Sequence, residues 1–235
     1  MRVQAVILAA GMGSRLGRAL PKPLTLLADG RTILQQQVEN VRAVFGTRAR
    51  VTLVVGYKLE HVIDSQPDAE YVYNERYDQS NTAKSLLRAL RESGPGGVLW
   101  LNGDVVFDPA ILARVEPLIE ADTSFVCVNT ASVSDEEVKY RVDDDGFVCE
   151  LSKTVRDGLG EAVGINFVSG REKSTLIGWL ERAHANDYFE RGMELAIAAG
   201  QLRVSPVDVS DLYAVEVDFA EDLEHANTHL RARAG

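Results

Sequence analysis

Apolar and polar positions along the chain fall into two rhythms. Val3 to Leu8 is a short apolar run that is β-branched at its core and followed by glycines, the pattern of a strand buried on both faces. Ile33, Leu34, Val38, Val41 and Val44 recur at helical spacing through Thr32 to Phe45, and Gly46 ends that helix. Val51 to Val55 predicts a second buried strand and Tyr71 to Tyr73 a shorter third. Thr82 to Glu92 reads as a helix with Leu86, Leu87 and Leu90 on one stripe. Val98 to Leu101 is a fourth strand, and Pro109 opens another helix at its first position. Strands alternating with helices over short connections predict a Rossmann-like α/β fold, a mostly parallel, doubly wound central sheet flanked by helices.

After about residue 122 the rhythm changes. Ser124 to Asn129 is strand-like, and Tyr140 to Val142 and Phe147 to Cys149 flank Asp143-Asp144-Asp145-Gly146, a hairpin with an Asp-Gly turn. Val163 to Val168, Val204 to Val209 and Tyr213 to Val217 predict strands; Ser174 to Ala185, Phe189 to Ala199 and Glu221 to Leu230 predict helices. The second half therefore reads as antiparallel additions to the same sheet. No linker or repeat divides the chain, so residues 1–235 are expected to form one domain.

Composition narrows the partners. A net charge of −10 over 235 residues disfavours nucleic acid, which needs a positive footprint. Any anion must be held locally by backbone amides, a few cations or a metal. Cys127 and Cys149 both lie in strand-like surroundings and read as buried free thiols. The N-terminal apolar run is too short for a signal or membrane helix, which makes a cytoplasmic, membrane-free protein the expectation. His61, His184, His225 and His229 are scattered, the last two reading as polar-face residues of the terminal helix.

Candidate chemistry concentrates in Leu8-Ala9-Ala10-Gly11-Met12-Gly13-Ser14-Arg15-Leu16 and the following Pro21-Lys22-Pro23-Leu24. Small residues and two spaced glycines after a strand let backbone N–H groups approach a triphosphate. Arg15 forks onto phosphate oxygens, and the prolines around Lys22 restrict its backbone. Leu at position 16 breaks a dinucleotide fingerprint, and no Gly-Lys-Ser/Thr ends the loop as a Walker motif requires. Leu99-Trp100-Leu101-Asn102-Gly103-Asp104 places an acid at a strand's carboxyl end, where ligands gather in open α/β sheets, with Gly103 leaving the approach clear. Alternation from Tyr213 to Phe219 puts Glu216 and Asp218 on one face. Asp104 with Asp218, helped by Glu216, is the kind of carboxylate set that shares Mg²⁺ with phosphate oxygens and water.

Ala-Ala-Gly-x-Gly-x-Arg followed by Pro-Lys-Pro-Leu resembles the signature of the sugar-1-phosphate nucleotidylyltransferase superfamily. The resemblance implies that Gly11 and Gly13 wrap the triphosphate, Arg15 faces its β/γ-phosphates, Lys22 contacts the α-phosphate, and Asp104 and Asp218 bind the metal. Leu8, Ala9, Ala10, Met12, Ser14 and Gly103 complete the expected nucleotide-binding set.

The segment Tyr73-Asn74-x-x-Tyr77-Asp78-x-x-Asn81-Thr82-x-x-Ser85-Leu86 is similar to the nucleobase side of the small cytidylyltransferases for choline phosphate, inositol phosphate or aminoalkylphosphonates. It adds Asn81, Thr82 and Ser85 as nucleotide contacts, although Asn81 at a helix start is equally placed to cap it. Lys153 would meet the acceptor phosphate, and Glu161, Tyr77, Asp78 and Tyr73 an ammonium or hydroxyl of the acceptor. The resemblance thus implies a Mg²⁺-dependent transfer of a nucleoside monophosphate, CMP from CTP first, to a small phosphate or phosphonate with release of pyrophosphate. Sugar-1-phosphate or inositol-1-phosphate transfer is the alternative, and a non-catalytic nucleotide-binding regulator a second. A homodimer is compatible with either.

Overall fold

The computed structural model describes residues 2–13, 20–131 and 137–234. Its first half is the parallel arrangement the apolar runs predict. Strand β1 (Val3–Ala9) lies between β2 (Ala49–Val55) and β4 (Val98–Asn102), and β3 (Glu70–Tyr73) continues the sheet beyond β2, all four parallel. Alternation along β1 explains why both faces need covering. Ala5, Ile7 and Ala9 enter one core with α1 (Ile33–Phe45) and α4 (Ala110–Glu120), while Val6, Leu8 and Ala10 enter the other with α3 (Thr82–Glu92). Thr32 closes a capping box with Gln35 at the start of α1. Pro109 is the residue before α4 rather than its first helical position.

A short helix, α2 (Leu59–Ser65), and a strand, β5 (Val105–Phe107), complete this half; the apolar periodicity did not announce either. β5 follows the Gly103-Asp104 turn directly. It is a continuation of an apolar run interrupted by two residues.

In the second half β6 (Phe125–Asn129), β7 (Lys139–Val142), β8 (Val148–Ser152) and β9 (Gly160–Val168) join the sheet. β9 pairs antiparallel with β4, β6 and β7, and β7 with β8 forms the expected hairpin. Helices α5 (Lys173–Arg182) and α6 (Phe189–Ala198) pack on the α3 side. Two expectations need correction. Strand β10 (Ser205–Asp208) runs parallel to β6, not antiparallel. Strand β11 (Ala214–Glu216) leaves the main sheet and pairs antiparallel with β5 in a separate two-stranded sheet. The cause is local: Val106 on β5 and Val217 just past β11 are buried with Leu223 and Ala226 of the last helix, α7 (Ala220–Ala234), in a third small core.

The Rossmann-like α/β class stands, with β4-β1-β2-β3 as its parallel centre and β9 as the antiparallel seam to the rest. Among the described residues no helix is long and apolar enough to cross a membrane. Cys127 is fully buried and Cys149 half-buried, both unpaired. His229 is more than a polar-face residue: its ring stacks on Tyr213 at 3.7 Å, and burial pushes that phenol up to about 12.

Candidate active site

The carboxyl ends of β1 and β4 open into a cleft of about 390 Å³. Gly103 donates its N–H to Leu8 O at 3.1 Å, and a Cβ at position 103 would stand 2.4 Å from that oxygen. The two strand ends touch backbone to backbone, which only glycine permits here. Gly13 adopts φ +56°, and a Cβ there would lie 2.7 Å from Lys22 Cβ. The second loop glycine is therefore what lets Lys22 fold against the loop. Lys22 opens a short 3₁₀ turn, Lys22–Leu24, with Pro21 before it and Pro23 within it.

The Lys22 ammonium donates to Asp104 Oδ2 at 2.7 Å and also to Asp218 Oδ1. Its side chain is only 10% exposed. Burial draws its pKa down, but the two carboxylates outweigh that and hold it above the ordinary lysine value. Two acids distant in sequence thus converge on one cation at the mouth of the glycine loop.

Other elements fix them there. Gln37 of α1 donates to the carbonyls of Asn102 and Val105, both at 2.8 Å, while Gln36 and Asn40 donate to Phe107 O at 3.1 and 2.9 Å. These buried amides clamp the segment that carries Asp104 on both sides. Val217 donates its N–H to the Asp104 carbonyl at 3.0 Å, and Asp222 accepts from the amides of Asp218 and Phe219 at 3.0 and 2.7 Å. The start of α7 is thereby tied to the same point.

Glu216 is turned differently. Its Oε1 accepts from Asn102 Nδ2 at 2.8 Å, and its pKa is raised well above the usual range by burial first, then by Asp104 and Glu137. Among the described residues no three acidic, histidine or cysteine side chains gather closely enough to cage a metal. The expected three-carboxylate set is therefore a pair, Asp104 and Asp218, with Glu216 behind it. The pair still fits a magnesium ion. Both oxygens already meet at a cation, they are hard donors, and magnesium leaves most of its shell to phosphate and water.

Leu8, Ala9, Gly11, Met12, Gly13, Asn81, Thr82, Gly103 and Tyr77 line this cleft, as does Lys153. Ala10 is buried beneath it, its carbonyl accepting from Tyr57 N at 3.1 Å. Asn81 caps α3 through Thr82 N at 2.8 Å, and Thr82 Oγ1 accepts from Phe189 N at 3.1 Å, joining α3 to the start of α6. Ser14 and Arg15 lie outside the described residues.

Four expected contacts lie elsewhere. The Ser85 hydroxyl is buried under the loop and accepts from Asn74 Nδ2 at 3.0 Å, because Asn74 uses it to hold the loop from β3 to α3. Asp78 is exposed beyond the cleft wall. Glu161 sits on β9 opposite Asn129 and Lys139, and the alternation of the strand gives the cleft Ala162 instead. Tyr73 faces a separate surface cleft beside Gln4 and Arg50.

Sequence reasoning also missed residues. Asn102, Glu137, Tyr188 and Glu190 line the cleft. Glu190 occupies the first turn of α6, where an acid reads as an ordinary helix-start residue. In the structure burial pushes its carboxyl up to about 7, with Glu137 and Asp104 adding to the shift and Lys153 opposing it. Burial raises Glu137 too, against the pull of Lys153.

With this geometry in place, comparison with known proteins gives the family. The MobA-like NTP transferase domain matches residues 5–164. The chain belongs to that family. The matched span contains the glycine loop, Lys22 and Asp104. Among its relatives is CMP-5'-(3-aminopropyl)phosphonate synthase of Streptomyces rubellomurinus, 32% identical over 246 residues, covering 96% of this chain and 38% of that protein. The bifunctional protein GlmU of Methanococcus maripaludis is 34% identical over 115 residues, covering 46% of this chain and 26% of that protein. The chain thus spans well under half the length of these relatives. Among solved structures, the CTP:phosphocholine cytidylyltransferase of Streptococcus pneumoniae superposes with a TM-score of 0.77 at 19% identity, over 98% of this chain and 100% of that one. The inositol-1-phosphate CTP transferase of T. maritima also gives 0.77, at 17% identity over 94% and 91%. At such identities these neighbours establish the fold.

Proposed function

We propose that this NTP transferase moves CMP from CTP to a small phosphate or phosphonate acceptor bearing an amine or choline-like head, releasing pyrophosphate. The observation that carries the reading is Lys22 held between Asp104 and Asp218 at the mouth of the glycine loop. The relative that makes a CMP-aminopropylphosphonate supports the choice of acceptor class. A single domain over residues 1–235 and a cytoplasmic location belong to the same reading.

An acceptor oxygen attacks the α-phosphorus in line; the new O–P bond forms as the bond to the β-phosphate breaks, and its electron pair leaves with pyrophosphate. A phosphate monoester is largely dianionic at neutral pH, its second pKa being about 6, so no general base is needed. Gly11 and Gly13 present backbone amides to the triphosphate, with Leu8, Ala9, Met12 and Gly103 shaping its approach. The family resemblance assigns Arg15 to the β/γ-phosphates and Ser14 to the nucleotide. Lys22 leaves its carboxylate partners for the α-phosphate and offsets charge as it develops. Asp104 and Asp218 would hold Mg²⁺, which when bound neutralises phosphate charge and orients the triphosphate. Asn81, Thr82 and Tyr77 border the nucleoside, and Lys153 draws the acceptor phosphate.

A pyrophosphate-release screen crossing four nucleoside triphosphates with phosphate and phosphonate acceptors tests the reading. CTP with an aminoalkylphosphonate or choline phosphate is expected to give the highest kcat/KM. A hexose-1-phosphate with UTP or dTTP winning by more than about tenfold, on the order of 1.4 kcal/mol, overturns the acceptor assignment. An inositol-1-phosphate optimum moves it to a polyol phosphate. Tight nucleotide binding without any pyrophosphate makes the protein a regulator.

A further inference from the structure

The cleft has two electrostatically unlike walls. On the nucleotide wall, Lys22 is matched with Asp104 and Asp218. On the wall formed by the start of α6 and the segment before β7, Glu137 and Glu190 face one cation among the described residues, Lys153. Such a wall is a poor host for a dianionic acceptor unless the acceptor brings a positive charge of its own.

Glu190 supplies a second, independent observation. Its Oε2 has no accessible surface and, among the described residues, no hydrogen-bond partner, although the residue forms part of the cleft wall. A buried carboxylate oxygen without a donor is costly, and native proteins keep few of them. A donor in the cleft that Glu190 lines would supply the missing partner once the side chain turns toward it. The same place already attracts a cation: Lys153 Nζ lies 5.3 Å from the centroid of the Tyr188 ring, two residues before Glu190. An organic cation carries the charge that matches these acids.

Resting on the proposed transfer, we infer that Glu190, Glu137 and Tyr188 form an ammonium subsite that selects acceptors in which a short alkyl chain joins an amine to a phosphate or phosphonate. This places head-group recognition on α6 and the entry to β7, not on Tyr77, Asp78 and Glu161. Lys153 lines the same cleft as Glu137 and Glu190, so an anion drawn to it leaves the other end of a short chain facing the two acids. An alkylamine stays protonated at neutral pH, as lysine does at about 10.4, and supplies the donors that Glu190 lacks.

The test is calorimetric binding to the full chain of two probes that differ only in the amine, 3-aminopropylphosphonate and propylphosphonate. Choline phosphate and phosphoethanolamine separate quaternary from primary amines and phosphates from phosphonates. The wild type is expected to prefer the amine by about tenfold or more, and Glu190→Gln and Glu137→Gln to erase about tenfold of that preference each. Tyr188→Leu should weaken choline phosphate more than the primary amines. Melting curves confirm folding. Should Glu190→Gln not fold, Glu137→Gln and the surface variant Tyr188→Leu carry the test. Equal affinity for the two probes in the wild type, or an unchanged preference in every folded variant, overturns the subsite. Pyrophosphate release with CTP, followed in parallel, keeps the two proposals apart. An amine preference without turnover sustains the subsite and removes the transfer reading. Turnover without an amine preference does the reverse.

Discussion

The nucleotide wall and the acceptor wall of the cleft are built by different means. The first hangs on the ends of parallel strands: β1 delivers the glycine loop, β4 delivers Asp104, and three amides of α1 hold the latter in place. Its charges are paired before any substrate arrives. The second hangs on the first turn of a helix and the flank of a hairpin, and among the described residues its acids exceed its cations. Under the proposed transfer, the wall that handles the chemical step is balanced, and the wall that meets the acceptor leaves a charge for the right molecule to complete.

The sharpest way to break this contrast is at the paired wall. Asp104→Ala and Asp218→Ala are each expected to take pyrophosphate release below detection while circular dichroism stays native, and chelation of divalent ions should do the same to the wild type. Full activity in both variants would remove the metal assignment. Lys22→Ala comes next: kcat is expected to fall by ~10²–10³ with a smaller change in KM, as for loss of one preorganised charge-stabilising group. A wild-type kcat returns Lys22 to a structural partner of the two acids.

Gln37→Leu probes the clamp. It leaves the carbonyls of Asn102 and Val105 without their donor, at a cost of about 1–3 kcal/mol in stability, with turnover falling because Asp104 loses its seat. A denaturant midpoint and kcat measured together decide whether the clamp serves fold and site alike.

Glu190→Gln has the smallest expected effect, and it depends on pH. The folded-state pKa, about 7 against an ordinary 4.5, means that the folded protein favours the protonated carboxyl. Its stabilising contribution is complete below about pH 4.5 and lost as pH rises through 7. The melting temperature of the variant should therefore match the wild type near pH 5 and exceed it by a few °C near pH 8. A difference that does not vary with pH means the carboxyl is not held in its neutral form.

Legibility in the sequence follows the same division. Glycines, prolines and a strand-end acid have local reasons to be where they are, so the glycine loop, Lys22 and Asp104 could be placed from neighbouring residues alone. The helix stripe of α3 and the Asp-Gly hairpin were readable for the same reason. Glu190 was not, because its meaning comes from Glu137 and Lys153, and nothing near it in the chain records them. Ser85 and Glu161 erred the other way: motif spacing named them, but Asn74 occupies the first and the alternation of β9 keeps the second out of the cleft. β11 escaped because an alternating strand does not say which sheet it will join.

The triad at the loop mouth also has a consequence in time. Lys22 and Asp104 are 82 positions apart, while Lys22 and Asp218 are 196 apart, so the last partner arrives only when almost the whole described chain has been made and folded back. Contacts of that separation form late, after the loop-closure entropy of the intervening chain has been overcome. A growing polypeptide would present the glycine loop and Asp104 long before Asp218. The three side chains therefore meet only when β11 and α7 have docked on β5.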